Sequence, residues 1–423
     1  MKFSQIRRIT QATVLSLAIG LGMTACSEDY TIDFLYVTTS RSSTGNISAY
    51  KVDNQSGSLT QIVDSPFSSG GRDPVAIVLS PNNQALYVVN NQDSTIVEFL
   101  IGTDGKIYMT NTYNLGPTAK GGTYPTAAVI DAANKYLVVT FSYQINVPVA
   151  TPPTLPGPGG IAVFPINSDN SLGTVVANGT LPYFPVSANP VSIGISPNPN
   201  NCPTSGGTVS ASCPINGGNY VPSIYVVEDT TTTGLVLTYS LSLSTGQLTA
   251  VASTAAGVVP YAIAEDPTGR FVYITDQSAN QLIGYIVQAN GSLNAMVNGP
   301  FSTGLYPEGI TADPRGKYIY VTNYNASTLN GYAIDQATGT PSGVFSNGTT
   351  ATGTGPTCVT IEPSQGIYLY TSNFVDNSVS GLQLDPHTGA LVNIQNTPFS
   401  AAGGPTCAVT VSAGSHAYQA LQP

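Results

Sequence analysis

Two cysteines near the end of the chain combine a reactive side chain with a repeated setting. Cys358 and Cys407 lie in the stretches GTGPTCVTIEP and AGGPTCAVTVS, 49 residues apart. Such a pair could act as a nucleophile, bind a metal or form a disulfide. A nucleophilic cysteine needs a partner base in an electropositive setting, and neither stretch supplies one. A zinc site needs four ligands at suitable spacing, which the chain lacks.

A second set of chemically capable residues lies next to prolines that begin apolar strands. These residues are Arg72, Asp73, Tyr124, Tyr261, Tyr306 and Glu308. A carboxylate, an arginine and several tyrosines around one pocket could hold a sugar or a polar peptide. Alternatively, Arg72 and Asp73 pair in a solvated loop and the tyrosines pack between neighbouring repeat units. The two histidines, His387 and His416, lie in a hairpin turn and in the tail, so neither is expected to be a catalytic base.

Four acidic residues recur at one position of the repeat described below. They are Asp131, Asp266, Asp313 and Glu362. Carboxylate oxygens are the ligands that calcium prefers, so a calcium site is one interpretation. Acids at the start of a turn also accept hydrogen bonds from the turn's own N–H groups, and we favour this interpretation. No metal and no other cofactor is therefore predicted.

An internal repeat supplies the elements that must position these residues. Each unit begins with a proline and an apolar strand, and a strand that carries an aromatic residue follows. A third apolar run, a Gly-containing turn and a fourth strand usually complete the unit. The units start at Pro74, Pro125, Pro190, Pro260, Pro307, Pro356 and Pro405, at intervals of 47 to 70 residues. Four short strands joined by hairpin turns are typical of a propeller blade.

The two ends of the repeat predict how the fold closes. Six complete units lie between Pro74 and Pro405, three strands precede them, and the isolated strand TCAVTVS follows at 406–412. Three strands plus one strand make a seventh blade without a bare sheet edge. The sequence therefore predicts an all-β, seven-bladed β-propeller over residues 33–412. Its blades are four-stranded and antiparallel, and a C-terminal strand pairs with the N-terminal blade. The tail 413–423 does not fit this count.

The first residues predict export. Lys2, Arg7 and Arg8 precede an apolar run that ends at Met-Thr-Ala-Cys26, which is typical of a secretory signal with a lipoprotein cleavage site. We expect a signal peptide at 1–25, lipidation of Cys26 and a short tether at 26–32. The protein would then be anchored to a membrane without crossing it, in the outer membrane and periplasm or at the cell surface. A plain cleaved signal with a free cysteine is the alternative.

The charge balance excludes one class of partner. Without residues 1–25 the chain keeps 9 of its 12 basic residues and all 22 acidic ones, which gives a net charge of 9 minus 22, or -13. Such a surface repels phosphate backbones, so no nucleic acid is expected as a partner. We expect a monomer that binds a small carbohydrate-like ligand or an envelope protein.

Two long loops and the cysteine count bear on disulfides. The loops at 142–160 and 198–223 could be functional or decorative, and the second contains Cys202 and Cys213. If Cys26 is lipidated, four cysteines remain, and an oxidising compartment favours their pairing. Equivalent atoms on neighbouring inner strands of a seven-fold ring lie about 6 Å apart, within disulfide range. We therefore predict bridges Cys202–Cys213 and Cys358–Cys407; reduced thiols that serve as small core residues are the alternative for the second pair.

The blades resemble those of the lactonase family of seven-bladed propellers, which includes 6-phosphogluconolactonase and muconate-cyclising enzymes. They are also similar to the YVTN repeats of bacterial surface proteins. The stretches that carry the resemblance are 80–107, 266–293 and 313–339. The resemblance implies lactone binding by a Gly-Pro-Arg-His pattern at the start of a blade. Here that pattern falls on Gly355-Pro356-Thr357-Cys358 and Gly404-Pro405-Thr406-Cys407, so the Arg-His pair is absent.

These observations predict a lipid-anchored cell-envelope propeller that acts as a binding or scaffold module with a degenerate lactonase-like site. One alternative is a lactone hydrolase, similar to 6-phosphogluconolactonase, that acts on a sugar lactone. The other is a surface repeat or adhesion-type protein that binds a partner protein. Whether the protein is an enzyme stays open, and if it is, the expected class is a lactonase, a carboxylic ester hydrolase.

Overall fold

Short runs of β-branched and aromatic residues, separated by turns, form strands throughout the described chain. The computed structural model describes residues 30–41, 43–115, 122–144, 158–197, 204–205, 208–209, 221–230, 232–345 and 348–414. These residues form 34 β-strands and no helix. Within them, accordingly, no helix is long and apolar enough to cross a membrane. The all-β prediction is confirmed.

The first three blades contain twelve strands in chain order. Blade one has β1 (Thr31–Thr39), β2 (Asn46–Asp53), β3 (Leu59–Gln61) and β4 (Phe67–Ser68). Blade two has β5 (Pro74–Leu79), β6 (Ala85–Asn90), β7 (Thr95–Ile101) and β8 (Ile107–Asn114). Blade three has β9 (Gly122–Ile130), β10 (Tyr136–Gln144), β11 (Gly160–Pro165) and β12 (Phe184–Pro185).

Blades four and five follow, with a separate small hairpin inserted in blade four. Blade four has β13 (Asn189–Ile195), the hairpin β14 (Thr204–Ser205) and β15 (Thr208–Val209), β16 (Ser223–Asp229), β17 (Leu235–Leu241) and β18 (Leu248–Ala255). Blade five has β19 (Pro260–Glu265), β20 (Phe271–Asp276), β21 (Gln281–Val287), β22 (Leu293–Ala295) and β23 (Phe301–Ser302).

The remaining strands form blades six and seven and the closing strand. Blade six has β24 (Pro307–Ala312), β25 (Tyr318–Asn323), β26 (Thr328–Ile334), β27 (Pro341–Gly343) and β28 (Thr350–Ala351). Blade seven has β29 (Pro356–Ile361), β30 (Tyr368–Asn373), β31 (Ser378–Leu384), β32 (Leu391–Asn393) and β33 (Phe399–Ser400). The closing strand is β34 (Pro405–Ser412).

Strand exchange closes the ring as predicted. β34 pairs antiparallel with β1, from Asp33 opposite Ser412 to Thr39 opposite Pro405, and it completes blade one. The inner strands β5, β9, β13, β19, β24, β29 and β34 contact one another in this order, and β34 contacts β5 again. They surround a central channel. The seven-bladed architecture is therefore confirmed, while residues 1–29 and 415–423 lie outside the described residues.

The core lies between the blades. Seven clusters of buried apolar side chains each join two neighbouring blades, as where Tyr273 and Leu282 of blade five meet Ile319 and Val321 of blade six. No single central core exists in the described chain, because the channel occupies the axis. The stability of each blade therefore depends on burial against its two neighbours.

The repeated tyrosine of the second strand links one blade to the next. Its hydroxyl donates to a backbone carbonyl in the turn after the third strand of the following blade. The pairs are Tyr36 with Gly105, Tyr87 with Asn170, Tyr273 with Gly339, Tyr320 with Gly389 and Tyr370 with Gly57, at 2.5–2.8 Å. All five acceptor residues have φ between 66° and 82°, where glycine and asparagine are favoured. The repeated tyrosine of one blade thus hydrogen-bonds the turn of the next blade, and the acceptor is a glycine in four of these five pairs.

The recurring acids cap turns. Asp131 accepts the N–H groups of Lys135 and Tyr136 at 2.8 and 2.6 Å. Glu362 accepts those of Gln365 and Ile367, both at 2.7 Å. Both acids are fully buried. Because their oxygens already bond to their own turns, these contacts support the capping interpretation over calcium binding.

Candidate functional site

The prolines that begin the inner strands all lie at one end of the channel, which we call the channel mouth. Immediately before the proline, the residue has a positive φ in five blades: Asp73, Tyr124, Tyr306, Gly355 and Gly404, with φ from 54° to 66°. Residues before proline and residues with a Cβ both avoid this conformation. Strained backbone of this kind concentrates at functional sites, so the mouth is the first place to seek one.

Glu308 is the buried carboxyl of the channel mouth. It follows Pro307 in β24 and is 8% exposed. The Nε2 atom of Gln277, in blade five, donates to its Oε1 at 3.4 Å. No Lys or Arg of the described chain forms an ion pair with it. Burial without a cation raises the pKa of Glu308 to about 8.

Tyr261 lies beside this carboxyl. Its side chain is 40% exposed. Protein atoms nevertheless surround it, and their burial effect raises the pKa of its hydroxyl; the negative charges of Glu308, Tyr306, Cys407 and Cys358 add to this rise. The tyrosine therefore keeps its proton at neutral pH and can donate a hydrogen bond.

Tyr306 extends the aromatic wall of the site. Its backbone N–H donates to Asn280 Oδ1 at 2.7 Å, which holds the residue at φ 59°. Its ring centroid lies 6.2 Å from that of Tyr324, and its side chain is 38% exposed. Open tyrosine faces of this kind can stack against the apolar face of a sugar ring.

Arg72, Asp73 and Tyr124 form a separate group on blades two and three. Arg72 pairs with Asp93, with Nη2 2.5 Å and Nε 2.6 Å from Oδ1, and its side chain is 55% exposed. The alternative in which Arg72 pairs with Asp73 is therefore wrong. Asp73 is half-buried, and burial raises its pKa. Tyr124 packs edge-on against Tyr143 at 5.7 Å between ring centroids. The six predicted residues thus share the mouth but form two clusters.

Cys358 and Cys407 occupy equivalent positions on β29 and β34. Their sulfurs lie 3.5 Å apart as free thiols, and both are half-buried. The predicted proximity is therefore confirmed, whereas a bond between the sulfurs is not formed in this structure. Cys26, Cys202 and Cys213 lie outside the described residues, so their predicted lipidation and bridge stay predictions.

Sequence reasoning missed Gln277, although the repeat contains the signal. Asp276 at the end of β20 lies opposite Pro260, so a residue that follows a second strand reaches the channel mouth. Asn91 and Tyr324 hold the same position in other blades, and Asn91 Nδ2 donates across the blade boundary to Pro125 O at 2.8 Å. Alignment of these positions would have placed Gln277 beside the next blade.

Sequence reasoning also missed Glu265, which ends β19 at the far end of the inner strand. Its carboxyl lies against Gly194 of the neighbouring blade, where an added Cβ would overlap its Oε1 atom. That oxygen has no hydrogen-bond partner, and burial raises the pKa of Glu265 to about 8. Within the described residues, no group of three or more His, Cys, Asp or Glu could hold a metal ion.

The site therefore belongs to a seven-bladed propeller with a protonatable carboxyl and tyrosines at its channel mouth. Residues 33–183 and 224–361 match the family model "Lactonase, 7-bladed beta-propeller". Because the match covers more than half of the chain, the protein belongs to this lactonase family. No curated protein matches the sequence.

Solved structures agree with this assignment at the level of the fold. The periplasmic gluconolactonase of Pseudomonas aeruginosa is similar with a TM-score of 0.67 and 17% identity, over 91% of this chain and 100% of that chain. A protein assigned as a 6-phosphogluconolactonase from Bacteroides fragilis gives 0.66 and 17%, over 90% and 98%. Identities this low show the shared fold alone.

Proposed function

We propose that the protein hydrolyses a neutral sugar lactone at the channel mouth, with Glu308 as the general base. The observation that carries this proposal is the buried carboxyl of Glu308, which is held by Gln277 and flanked by Tyr261. A base works best when its pKa lies near the working pH, and that of Glu308 is about 8. Membership of the lactonase family supports the same reaction class.

The proposed reaction uses only groups at the mouth. Ionised Glu308 takes a proton from water as the oxygen attacks the lactone carbonyl carbon. Tyr261 keeps its proton and donates a hydrogen bond to the developing oxyanion. The ring C–O bond then breaks, and protonated Glu308 returns its proton to the leaving oxygen. Lactone and water give one hydroxy acid, and the carboxyl is regenerated.

Among the described residues, the charges at the mouth favour a neutral substrate over a phosphorylated one. Arg72 is neutralised by Asp93. Arg41 donates to Val375 O and to Asn377 Oδ1, both at 3.1 Å, and stacks over a phenylalanine ring. A phosphate would need free cations and would meet the carboxyl of Glu308 instead. Tyr306 and Tyr324 offer faces for an uncharged ring.

The test compares Glu308→Gln with wild type on glucono-1,5-lactone, after subtraction of the spontaneous rate. We expect kcat/KM of the wild type to rise with pH and to level off above about pH 8, because the ionised form is the base. The Gln variant should lose roughly 100-fold or more. Asp73→Asn, the same chemical change in the other cluster, is the matched control and should retain activity. An active Glu308→Gln enzyme would refute the role of this carboxyl.

A second candidate function is ligand binding without turnover. The observation that favours it is the replacement of the relatives' Arg-His pattern by Thr357-Cys358 and Thr406-Cys407. Titration calorimetry with a lactone and with its hydroxy acid separates the two functions. Heat of binding in wild type without product formation would support the binding module. Product formation above the blank would support the hydrolase.

We also propose that the protein is exported and lipid-anchored through Cys26, as the first 26 residues predict. The test is metabolic labelling with a radioactive or clickable fatty acid. We expect label in the wild type and none in Cys26→Ser. Equal labelling of the two proteins would contradict the anchor.

A further inference from the structure

We propose that Cys358 and Cys407 form a reversible disulfide at the channel mouth, and that this bond locks the closing strand of the propeller to blade seven. The inference is independent of the proposed hydrolysis. It goes beyond the pairing expected from the cysteine count, because it assigns a redox modification site with a structural effect. It rests on the geometry of the pair, on the hydrogen bonds around it and on its place in the ring.

The positions of the two sulfurs favour formation of a disulfide. The two sulfurs lie 3.5 Å apart, so they need to approach by about 1.5 Å to reach a disulfide length of about 2.0 Å. The two strands are already fastened one residue earlier, where Thr357 Oγ1 donates to Pro405 O at 3.1 Å. They meet again farther along, where the Thr360 and Thr410 hydroxyls lie 3.5 Å apart. The strands are thus fastened on both sides of the pair, and rotation of the side chains would bring the sulfurs together.

The surroundings distinguish the two thiols. The Cys358 thiol donates to Cys407 Sγ, and this bond lowers the pKa of Cys407 while it raises the pKa of Cys358. Cys407 is therefore the thiol that ionises first and attacks an oxidant. Both side chains are half-buried rather than fully buried, so each thiol keeps some exposure through which a small disulfide can reach it.

The step balances as thiol–disulfide exchange. The Cys407 thiolate attacks one sulfur of a small external disulfide such as oxidised glutathione, and one glutathione thiolate leaves. Cys358 then loses its proton to solvent and attacks the Cys407 sulfur, which releases the second glutathione. The pair is oxidised by two electrons, and one external disulfide is reduced to two thiols.

The position of the pair at the ring closure gives the disulfide its structural effect. β34 is the strand on which closure of the ring depends, because it pairs with β1 across the start and the end of the fold. A bridge from β34 to β29 closes a covalent loop between residues 358 and 407 around blade seven. Oxidation thus tightens the closure of the ring.

The experiment is redox titration of the full-length protein in glutathione buffers of increasing oxidation. Samples are quenched with acid, alkylated, digested and mapped by mass spectrometry. We expect the two alkylated peptides to convert together into one bridged pair at a single midpoint. Dithiothreitol should reverse the conversion without denaturant. Thiols that stay alkylatable at every ratio would overturn the proposal, as would a stable glutathione adduct at Cys407 or a bridge that resists reduction until the protein unfolds.

A thermal readout tests the structural effect. The bridged wild type should melt roughly 5 °C or more above the reduced wild type. Cys358→Ser keeps a hydroxyl donor toward Cys407 and keeps every other cysteine, so it is the matched control. Its melting temperature should differ little between the two buffers. An equal shift in wild type and Cys358→Ser would show that other cysteines cause it and would overturn the locking role.

Discussion

A buried carboxyl at the ring closure makes the stability of the fold depend on pH. Asp33 of β1 is fully buried opposite Ser412 of β34, and Ser364 Oγ donates to its Oδ1 at 2.9 Å. The negative charge of Glu362 acts on this carboxyl, whose second oxygen, Oδ2, is buried without a hydrogen-bond partner. Glu362 accepts backbone N–H groups, whereas no Lys or Arg of the described residues pairs with Asp33, so Asp33 is the carboxyl that holds a proton.

The size of this effect follows from the pKa. Burial, followed by the charge of Glu362, raises the pKa of Asp33 from 3.8 to about 8. Between these values the folded state holds a proton that the unfolded chain has released. The free energy of unfolding therefore falls as pH rises from about 4 to 8, and the fall stops above 8. At 1.36 kcal/mol per unit, the loss from this group is about 4 kcal/mol at pH 7 and about 5 kcal/mol at pH 8.

Asp33→Asn tests this reasoning because the amide keeps the size of the side chain and does not titrate. Other buried acids also titrate, so the informative quantity is the difference between variant and wild type. We expect equal stabilities near pH 4 and a variant more stable by about 4 kcal/mol at pH 7. Urea unfolding followed by tyrosine fluorescence is suitable, because the chain has 24 Tyr and no Trp.

The control for this test is Glu362→Gln. Its amide would direct N–H groups toward the backbone donors of the turn, so it should lose roughly 1–3 kcal/mol at every pH. The reasoning is refuted if the difference between Asp33→Asn and wild type stays constant, within about 1 kcal/mol, from pH 4 to pH 8.

Two further pairs of variants test packing and charge. Gly309→Ala should lower the free energy of unfolding by roughly 1–3 kcal/mol, because the new Cβ would lie 2.8 Å from a backbone oxygen of the next inner strand. Gly343→Ala is the control, since a Cβ there would meet nothing within 4 Å. In the same urea assay it should be neutral or stabilising. Arg72→Ala should change stability by about 1 kcal/mol or less, because its ion pair is 55% exposed on the arginine side. Arg315→Ala should lose about 3–5 kcal/mol, because it leaves buried Asp313 unpaired. Equal losses within either pair would contradict these assignments.

Much of the fold could be predicted from sequence because each blade repeats the same local pattern of strands and turns. The spacing of the prolines gave the number of blades, and the incomplete units at the two ends predicted that β34 pairs with β1. The recurrent tyrosine marked every second strand, although its bond to the turn of the next blade was not foreseen. That bond depends on how neighbouring blades stack, which a pattern within one blade does not contain.

The candidate site was predictable only in part. Residues beside the prolines were expected at one mouth, and the structure places them there. Their partners were not predictable, because a residue at the mouth can contact the neighbouring blade as well as its own. Gln277 reaches Glu308 from blade five, and Arg72 pairs with Asp93 rather than with Asp73. A bulge at the start of β24, between Pro307 and Ile310, also interrupts the simple alternation of faces near Glu308.

The sequence by itself determined the strands, their number and the small residues at Cys358 and Cys407, since periodicity and residue size are local properties. Only the tertiary structure decided which charges are buried together. Asp33 and Glu362 are 329 positions apart in the chain, yet ring closure brings them close enough for the charge of Glu362 to raise the pKa of Asp33. The same closure brings the two sulfurs to 3.5 Å. The physical reason is that the pKa of a carboxyl and the bonding of a thiol depend on atoms within a few ångströms. In a closed ring those atoms come from distant parts of the sequence.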